Sequence, residues 1–196
     1  SDLRETSSLV RILPSGEEQK IRPFSSITSS LVQSGDKLFW SEYTPDVRWS
    51  LKGTSRIKYL DLTTRPKIHT LTKEGRLFNP SVSDDGKKLA VVEYPTDGRT
   101  FILELDSENG EILSRHNVPD SLQAVEPVWI GEEIYFSGIS EKGFGLYSVS
   151  SGNPVKEVLS PEPVTIHALN KNGELLVFSS DRTGVDEAYT MNPKTG

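Results

Sequence analysis

Cysteine is absent from the 196 residues of the chain, and only one methionine is present. The absence of cysteine excludes disulfide bonds and thiolate-ligated metals, but it is compatible with exported and cytosolic proteins alike. No apolar run approaches the roughly 18 residues that a membrane-spanning helix needs. The first segment, SDLRETSSLV, has neither a basic leader nor an apolar core. Any signal peptide of an exported parent protein is therefore not part of this sequence.

An excess of positive charge is also absent. The chain has 28 acidic and 22 basic residues, which gives a formal net charge of -6. Proteins that bind nucleic acid need a concentrated basic surface to neutralise phosphates, so we expect no nucleic-acid partner. With 34% hydrophobic and 26% charged residues, the composition is that of a folded globular protein rather than a disordered one.

The sequence does contain an internal repeat. A short β-favouring segment, a turn with glycine and an apolar strand recur around Gly35, Gly86, Gly131 and Gly173. The intervals are about 40 to 50 residues, close to the period of a four-stranded propeller blade. The apolar residues in these segments alternate with a period of two, which predicts strands, whereas a helical repeat would show them at i, i+3, i+4 and i+7.

A second strand pair follows each of these segments. Its instances are RIKYLDLTTRPKIHTL, RTFILELDSENGEILSRH, FGLYSVSSGNPVKEVL and, incompletely, DEAYTMNPKTG. Aliphatic and aromatic residues dominate the strands, while Gly, Asn, Asp, Pro and Ser occupy the turns, as hairpins require. Each repeat unit is therefore predicted to have four antiparallel strands, which we call a, b, c and d.

We predict an all-β protein, a β-propeller of four-stranded antiparallel blades with about four blades present. One blade cannot bury both of its faces alone, so neighbouring blades must stack around an axis. A β-sandwich has strands at similar spacing, but it has no reason to repeat its unit internally. Within one domain spanning 1–196, the predicted divisions are strands c and d of a preceding blade at 8–22, blades at 27–72, 78–117 and 124–159, and an incomplete blade at 164–196.

The last predicted unit lacks its outer strand. We therefore expect the chain to be a segment of a larger propeller of six to eight blades, with further domains outside it. Residues 18–22 could close the ring by pairing with the strand that ends near Met191. Otherwise the open edges are expected to pair with another chain, giving an oligomer.

The segment FSSDRTGVDEAYTMNPKTG resembles the repeat of the TolB-type propellers, known as the PD40 or WD40-like β-propeller repeat. The residues that match this repeat are Phe178, Ser180, Asp181, Arg182, Gly184, Tyr189, Met191, Asn192 and Gly196. A second match, NPSVSDDGKKLAVVEY, contains Pro80, Ser83, Asp85, Gly86, Lys87, Leu89 and Ala90 in register. Asp84 stands where that repeat usually has proline. The similarity extends over residues 8–196, although QSGDKLFW and WIGEEIYF depart from the pattern.

This resemblance implies a non-catalytic module for protein-protein interaction or scaffolding in an exported, periplasmic bacterial protein. The family includes a periplasmic interaction protein. Similar propellers gate or flank the catalytic domains of prolyl-oligopeptidase-like and tricorn-type peptidases, so a substrate-gating propeller of a larger serine peptidase is an alternative. Binding of a carbohydrate or another small ligand in the central channel is a third possibility, because one fold serves many functions.

The residues themselves predict no catalytic centre. The string GISEKG has Gly138, Ser140 and Gly143, which is one residue away from the spacing of a hydrolase nucleophile elbow. The histidines lie in strands of different units, are expected to be partly buried and are not joined by a metal-binding motif. These are His69, His116 and His167. We therefore expect no enzyme activity, cofactor or metal in this segment.

The loops at one end of the predicted blades are the candidate binding site. Because strand direction alternates, every b–c loop and every d–a connection emerges at the same face. The candidate binding residues on this face are Arg48, Trp49, Arg99, Asp181 and Arg182. Trp and Arg are enriched at binding hot spots, and loops on a rigid scaffold often carry function. The alternative is a charged rim that only keeps the protein soluble.

The Ser-Asp-Arg motif is predicted to have a structural role, in which Asp181 holds turn amides and pairs with Arg182. Trp40 and Trp129 are predicted to lie in the core.

Overall fold

Four successive sheets and a hairpin make up the computed structural model, which describes residues 8–23, 31–49, 52–63, 66–73 and 75–195. Residues 27–30, 50–51 and 64–65 of the first predicted complete blade, and Gly196 of the matched repeat, lie outside these ranges. All strand pairs within the sheets are antiparallel. Among the described residues, no helix is long and apolar enough to cross a membrane.

The N-terminal hairpin and the first two sheets contain ten strands. The hairpin is β1–β2, blade A is β3–β6 and blade B is β7–β10, and each sheet follows the chain order. The strand bounds are β1 Ser8–Ile12, β2 Glu18–Pro23, β3 Val32–Ser34, β4 Lys37–Thr44, β5 Thr54–Asp61, β6 Lys67–Thr70, β7 Leu77–Val82, β8 Lys88–Glu93, β9 Phe101–Asp106 and β10 Ile112–Asn117.

The remaining two sheets contain seven strands. Blade C is β11–β14, and blade D has three strands among the described residues, β15–β17. The bounds are β11 Gln123–Ile130, β12 Glu133–Ser140, β13 Gly143–Val149, β14 Lys156–Glu162, β15 Ile166–Asn172, β16 Leu175–Ser180 and β17 Glu187–Met191. The prediction of an all-β protein built of antiparallel blades is confirmed.

The first strands of the four blades lie next to one another. β7 contacts β3, β11 contacts β7, and β15 contacts β11. These are the inner strands of a propeller, and the later strands of each blade lie progressively farther from the axis. This arrangement differs from a sandwich, in which two sheets face each other across one core.

Apolar side chains fill the spaces between neighbouring blades. Phe39 and Ile57 of blade A meet Leu89 and Leu103 of blade B, and all four are buried. Equivalent clusters join blades B and C through Ile102, Trp129 and Phe136, and blades C and D through Tyr135, Leu146, Leu176 and Phe178. Each fully buried side chain of this size contributes roughly 1.5–3 kcal/mol. Blade stacking therefore contributes substantially to stability. The predicted burial of Trp40 and Trp129 is confirmed.

The N-terminal hairpin packs on blade A. Leu9 and Ile21 contact the cluster around the buried Trp40 and Leu60. β2 pairs with β1, and β17 pairs with β16. The prediction that residues 18–22 pair with the strand ending near Met191 is therefore wrong for this structure. The hairpin instead covers the apolar face of blade A that would otherwise be exposed.

Each of the inner strands β7, β11 and β15 carries an irregularity at a similar position. The register shifts between Phe78 and Ser81, between Ala124 and Pro127, and between His167 and Asn170. Two residues in these bulges have left-handed backbone conformations, Asn79 with φ 51° and Ala168 with φ 54°. Asparagine tolerates this region through its short polar side chain, whereas alanine does so at a cost.

Candidate binding face and central channel

The loops between the second and third strands and the connections between blades lie at one end of the molecule. Ser55, just after the β4–β5 loop, exchanges backbone hydrogen bonds of 2.7 and 3.2 Å with Gly75, in the connection to blade B. The Tyr94 hydroxyl, at the end of β8, donates to the Ala124 carbonyl at the start of β11 over 2.7 Å. We call this end the loop face, and we call the opposite end, which carries the other turns, the turn face.

The β4–β5 loop projects an apolar tip from the loop face. Val47 is fully exposed and the Trp49 side chain is 61% exposed. The Asp46 Oδ1 atom accepts hydrogen bonds of 2.8 Å from the backbone N–H groups of Arg48 and Trp49, which fixes the turn. The Lys52 ammonium lies 5.6 Å from the centre of the Trp49 ring. One cationic side chain, Lys52, therefore lies by an exposed indole, and a second, Arg48, precedes Trp49 in the sequence.

Arg99 lies in the β8–β9 loop of the same face. Its Nε and Nη2 atoms donate to Asp97 Oδ2 over 2.8 and 2.6 Å. These bonds from Arg99 lower the pKa of Asp97, and the Asp97 carboxylate raises the pKa of Arg99. The guanidinium also lies 5.3 Å from the centre of the Phe101 ring. Because the pair is exposed, we attribute little stability to it.

Asp181 and Arg182 lie on the loop face of blade D, but they do not pair as predicted. Asp181 Oδ1 accepts a 2.7 Å hydrogen bond from the Thr165 backbone N–H, and this bond is the main cause of the lowered pKa of Asp181. Arg182 Nη2 instead donates to Glu162 over 2.8 Å. Both contacts join the β16–β17 loop to the segment that enters blade D. Asp181 does hold a backbone amide, but that amide belongs to the connection before β15 and not to its own turn as predicted, and the prediction that Arg182 pairs with Asp181 is wrong.

The five candidate residues are distributed over three blades. Arg48 and Trp49 belong to blade A, Arg99 to blade B, and Asp181 and Arg182 to blade D, all at the loop face. Val185, also in the β16–β17 loop, is 62% exposed. Exposed apolar tips on blades A and D thus lie on either side of the more polar loops of blades B and C. Val185 was not predicted from the sequence, because alternation alone does not distinguish it from a core residue.

The inner strands line a central channel with a volume of about 540 Å³. Side chains at the bulges connect one blade to the next across it. Asn79 Nδ2 donates to the Val125 carbonyl over 2.9 Å, and Glu126 Oε2 accepts from the Leu169 N–H over 2.9 Å. Much of the polar surface of the channel is therefore engaged in holding the blades together.

Asp84 connects three blades at the turn face. Its Oδ2 atom accepts a 3.0 Å hydrogen bond from the Gly131 N–H of blade C, and its Oδ1 atom pairs with the Lys171 ammonium of blade D. These contacts lower the pKa of Asp84, with the Lys171 hydrogen bond as the largest cause. The carboxylate thus has a role that the proline usual at this position of the repeat could not provide.

A buried ionic cluster lies within blade B. Glu104 accepts from the Lys88 ammonium over 3.2 Å and lies 2.8 Å from His116 Nε2. The side chains of Glu104 and His116 are 6% and 5% exposed. The sequence did not predict this pairing, because the three residues lie on three different strands.

The other two histidines differ in burial. His69 is half-buried against Tyr59, as predicted, but His167 is exposed, so its predicted partial burial is wrong.

No group of three or more His, Asp or Glu side chains suited to a metal ion is found among the described residues. Ser140 donates to the Gly143 carbonyl over 3.2 Å within its own hairpin. Its surroundings are those of a turn residue rather than of an activated nucleophile, which would need an adjacent base.

The fold is that of a TolB-like β-propeller. No family model and no curated protein matches the sequence. Among solved structures, the chain is similar to TolB from Acinetobacter baumannii, with a TM-score of 0.60 and 16% identity over 86% of this chain. It is also similar to a protein assigned as TolB from Agrobacterium tumefaciens, with a TM-score of 0.67 and 16% identity over 94% of this chain. The chain spans 44% and 65% of these two proteins.

The same fold occurs in peptidases. The acylaminoacyl peptidase of Pyrococcus horikoshii matches with a TM-score of 0.61 and 17% identity over 92% of this chain. The match covers 33% of the peptidase chain. At this level of identity the comparison establishes the fold and not the activity.

Proposed function

We propose that the chain is a non-catalytic propeller module that binds a protein partner through its loop face, within an exported bacterial protein. The observation that carries the proposal is the position of the exposed apolar side chains. Val47, Trp49 and Val185 project from loops of this face, where no strand pairing or blade stacking needs them. Exposed apolar groups within a polar rim are typical of protein interaction sites.

The charge distribution supports a protein partner over a nucleic acid or an anionic membrane. The net charge is -6, and the loops mix acids with bases, as in Asp97 with Arg99. Arginine and tryptophan are enriched at protein interfaces, especially where they are surrounded by polar residues. The TolB-like fold agrees with an exported, periplasmic location.

Site-specific photo-crosslinking in cells tests this proposal. A photoreactive amino acid is placed at Trp49 or Arg99 on the loop face, and at Leu175 near the turn face as the matched control. We expect discrete adducts with a protein partner from the loop-face positions, and their loss when Val47 and Val185 are both changed to serine. Equal labelling from both faces, or adducts only from Leu175, would contradict the proposal.

A second candidate function is that of a substrate-gating propeller in a larger peptidase. The structural similarity to the Pyrococcus horikoshii acylaminoacyl peptidase favours it. In that case the loop face or the channel would control access to a catalytic domain outside this chain. Sequencing of the parent gene separates the two candidates, since a hydrolase nucleophile motif in an adjoining α/β region is expected only for the second.

A ligand in the central channel is less well supported. Asn79, Glu126 and Asp84 already hold backbone or side-chain groups of neighbouring blades. A ligand that used these groups would have to replace contacts that keep the blades together. Titration with candidate monosaccharides, followed by protein NMR, tests this possibility directly.

A further inference from the structure

We propose that the Trp49 loop of one copy inserts into an apolar pocket of blade C in a second copy, beside the connection from blade B, which makes the protein a self-associating dimer. The proposal depends on the loop face being a docking surface, as in the proposed function, but it names the occupant. The same chain carries a projecting tip and a recess of matching chemistry.

The projecting tip combines an exposed aromatic side chain with two cationic residues of the same loop. Trp49 is 61% exposed and is flanked in sequence by Arg48, while the Lys52 ammonium lies over its ring. The nearby Asp46 carboxylate accepts two backbone hydrogen bonds within the turn. The turn from Asp46 to Trp49 is therefore held by these two bonds, which limits the conformational entropy lost when the indole is buried.

The recess is an apolar pocket with an acidic rim. It has a volume of about 370 Å³ and lies where the connection into blade C meets the β12–β13 hairpin. Leu122 and Tyr147, both 7% exposed, form part of its wall. Glu141 and Glu157 lie at the pocket together with one cation, Lys142. The rim thus has a net negative charge that complements Arg48 and Lys52, the two cations of the Trp49 loop.

The tip and the pocket lie on different blades, and the exposure of Trp49 shows that it does not fill the pocket of its own chain. Both features open at the loop face. Two copies related by a two-fold axis, with loop faces opposed, can therefore form both contacts at once. Such an isologous arrangement closes as a dimer and does not grow into a filament.

Analytical ultracentrifugation over a wide range of protein concentration tests the proposal. We expect a reversible dimer that weakens as salt is raised, because exposed charge pairs are screened. Trp49→Ser should weaken the dimer at least about tenfold, as expected for a hot-spot residue. Ile112→Ser is the matched control, since Ile112 is 60% exposed on the outer strand of blade B. The control variant should dimerise like the parent protein.

A mixing experiment distinguishes insertion from an indirect effect of the substitution. Ser121 is exposed at the pocket, so Ser121→Trp should block the pocket without disturbing the core. At a protein concentration where the parent protein is mostly dimeric, Trp49→Ser and Ser121→Trp should each be mostly monomeric alone. Their mixture should form heterodimers, because one intact tip can then enter one intact pocket. Circular dichroism checks that each variant is folded, and Glu141→Lys, which reverses a rim charge without filling the pocket, should also weaken the dimer.

A monomer at all concentrations would overturn the proposal, as would a dimer that Trp49→Ser leaves unchanged or a mixture that stays monomeric. Trp49-dependent attachment to phosphatidylglycerol vesicles without self-association would also overturn it, in favour of a membrane contact. Loop-face adducts with a different protein would still support the proposed function after any of these results, so failure of the dimer and failure of the proposed function are distinguishable.

Discussion

Glu104 illustrates how much a single residue can depend on its neighbours. It is almost completely buried and has two cationic or protonatable partners, Lys88 and His116. A buried carboxylate is tolerated only when it is paired, and removal of one member leaves the others without compensation. The three side chains lie on three paired strands of blade B, so the cluster forms only when these strands are correctly paired.

We predict that Glu104→Ala lowers the free energy of unfolding by about 2–4 kcal/mol, because it leaves Lys88 and the buried His116 without their acceptor. Chemical denaturation measures this loss. Glu174→Ala is the matched control, since it removes a carboxylate from the exposed pair with Lys194. We expect almost no change for the control. A similar effect of both substitutions would mean that the blade B cluster is not buried as described.

Asp84 provides a pH-dependent prediction. Its pKa is lowered in the folded protein, chiefly by the hydrogen bond from Lys171. A carboxyl group with a lowered folded pKa stabilises the protein above its unfolded pKa, and this stabilisation is lost as the pH falls through the folded value. The difference in unfolding free energy between the parent protein and Asp84→Asn should therefore be largest near neutral pH and shrink below about pH 4.

Denaturation at a series of pH values measures this difference. Lys171→Met is the companion variant, because it removes the main partner of the same carboxylate. In the Lys171→Met background, Asp84→Asn should have a smaller effect, which a double-mutant cycle detects. Strictly additive effects would show that the two residues do not interact.

The inner strands are the elements that define the geometry of the channel. Their bulges place Asn79 and Glu126 toward the next blade, where the Asn79 amide donates to a backbone carbonyl and the Glu126 carboxylate accepts from a backbone N–H group. Bulges reorient side chains at the cost of a local irregularity in the sheet. One part of that cost is visible at Ala168, whose φ of 54° lies in the left-handed region.

We predict that Ala168→Gly stabilises the protein by up to about 1 kcal/mol, because glycine adopts the left-handed region without steric cost. The matched control is Ala124→Gly, in the neighbouring inner strand, where Ala124 is buried and φ is not positive. There the change should destabilise by about 1 kcal/mol through greater unfolded-state entropy and lost packing. Thermal unfolding of both variants measures the two signs, and destabilisation by Ala168→Gly would contradict the assigned backbone conformation.

The strands and turns could be predicted from the sequence because each depends on residues that are close together in the chain. Period-two alternation identifies strands, and Gly86 with its preceding aspartates identifies a turn. The large aromatic residues Trp40 and Trp129 lie in strong strands, so their burial followed from the pattern. The edge contacts could not be predicted in this way. Arg182 has Asp181 beside it in sequence but Glu162 beside it in space, and only the fold decides between them.

At the scale of the whole molecule, the sequence predicted the blades but not how the terminal segments are placed. The hairpin of residues 8–23 has the alternating residues of any outer strand pair. Its sequence therefore did not indicate whether it packs on blade A or pairs with β17. The buried Trp40 and Leu60 resolve this choice, since they need an apolar cover that Leu9 and Ile21 supply. The position of the candidate residues on one face followed from strand alternation, whereas their actual partners depended on tertiary packing.

Both proposals depend on the four inner strands meeting around one axis, because this places all the b–c loops on one face. Nuclear Overhauser effects measured on the isotope-labelled chain test this directly. We predict contacts from the Asn79 side-chain amide protons to Val125, and from the Tyr94 ring to Ala124, which connect blades B and C at their inner edges. Absence of these contacts, together with contacts from β11 to the face of blade A, would indicate two facing sheets and would contradict the propeller.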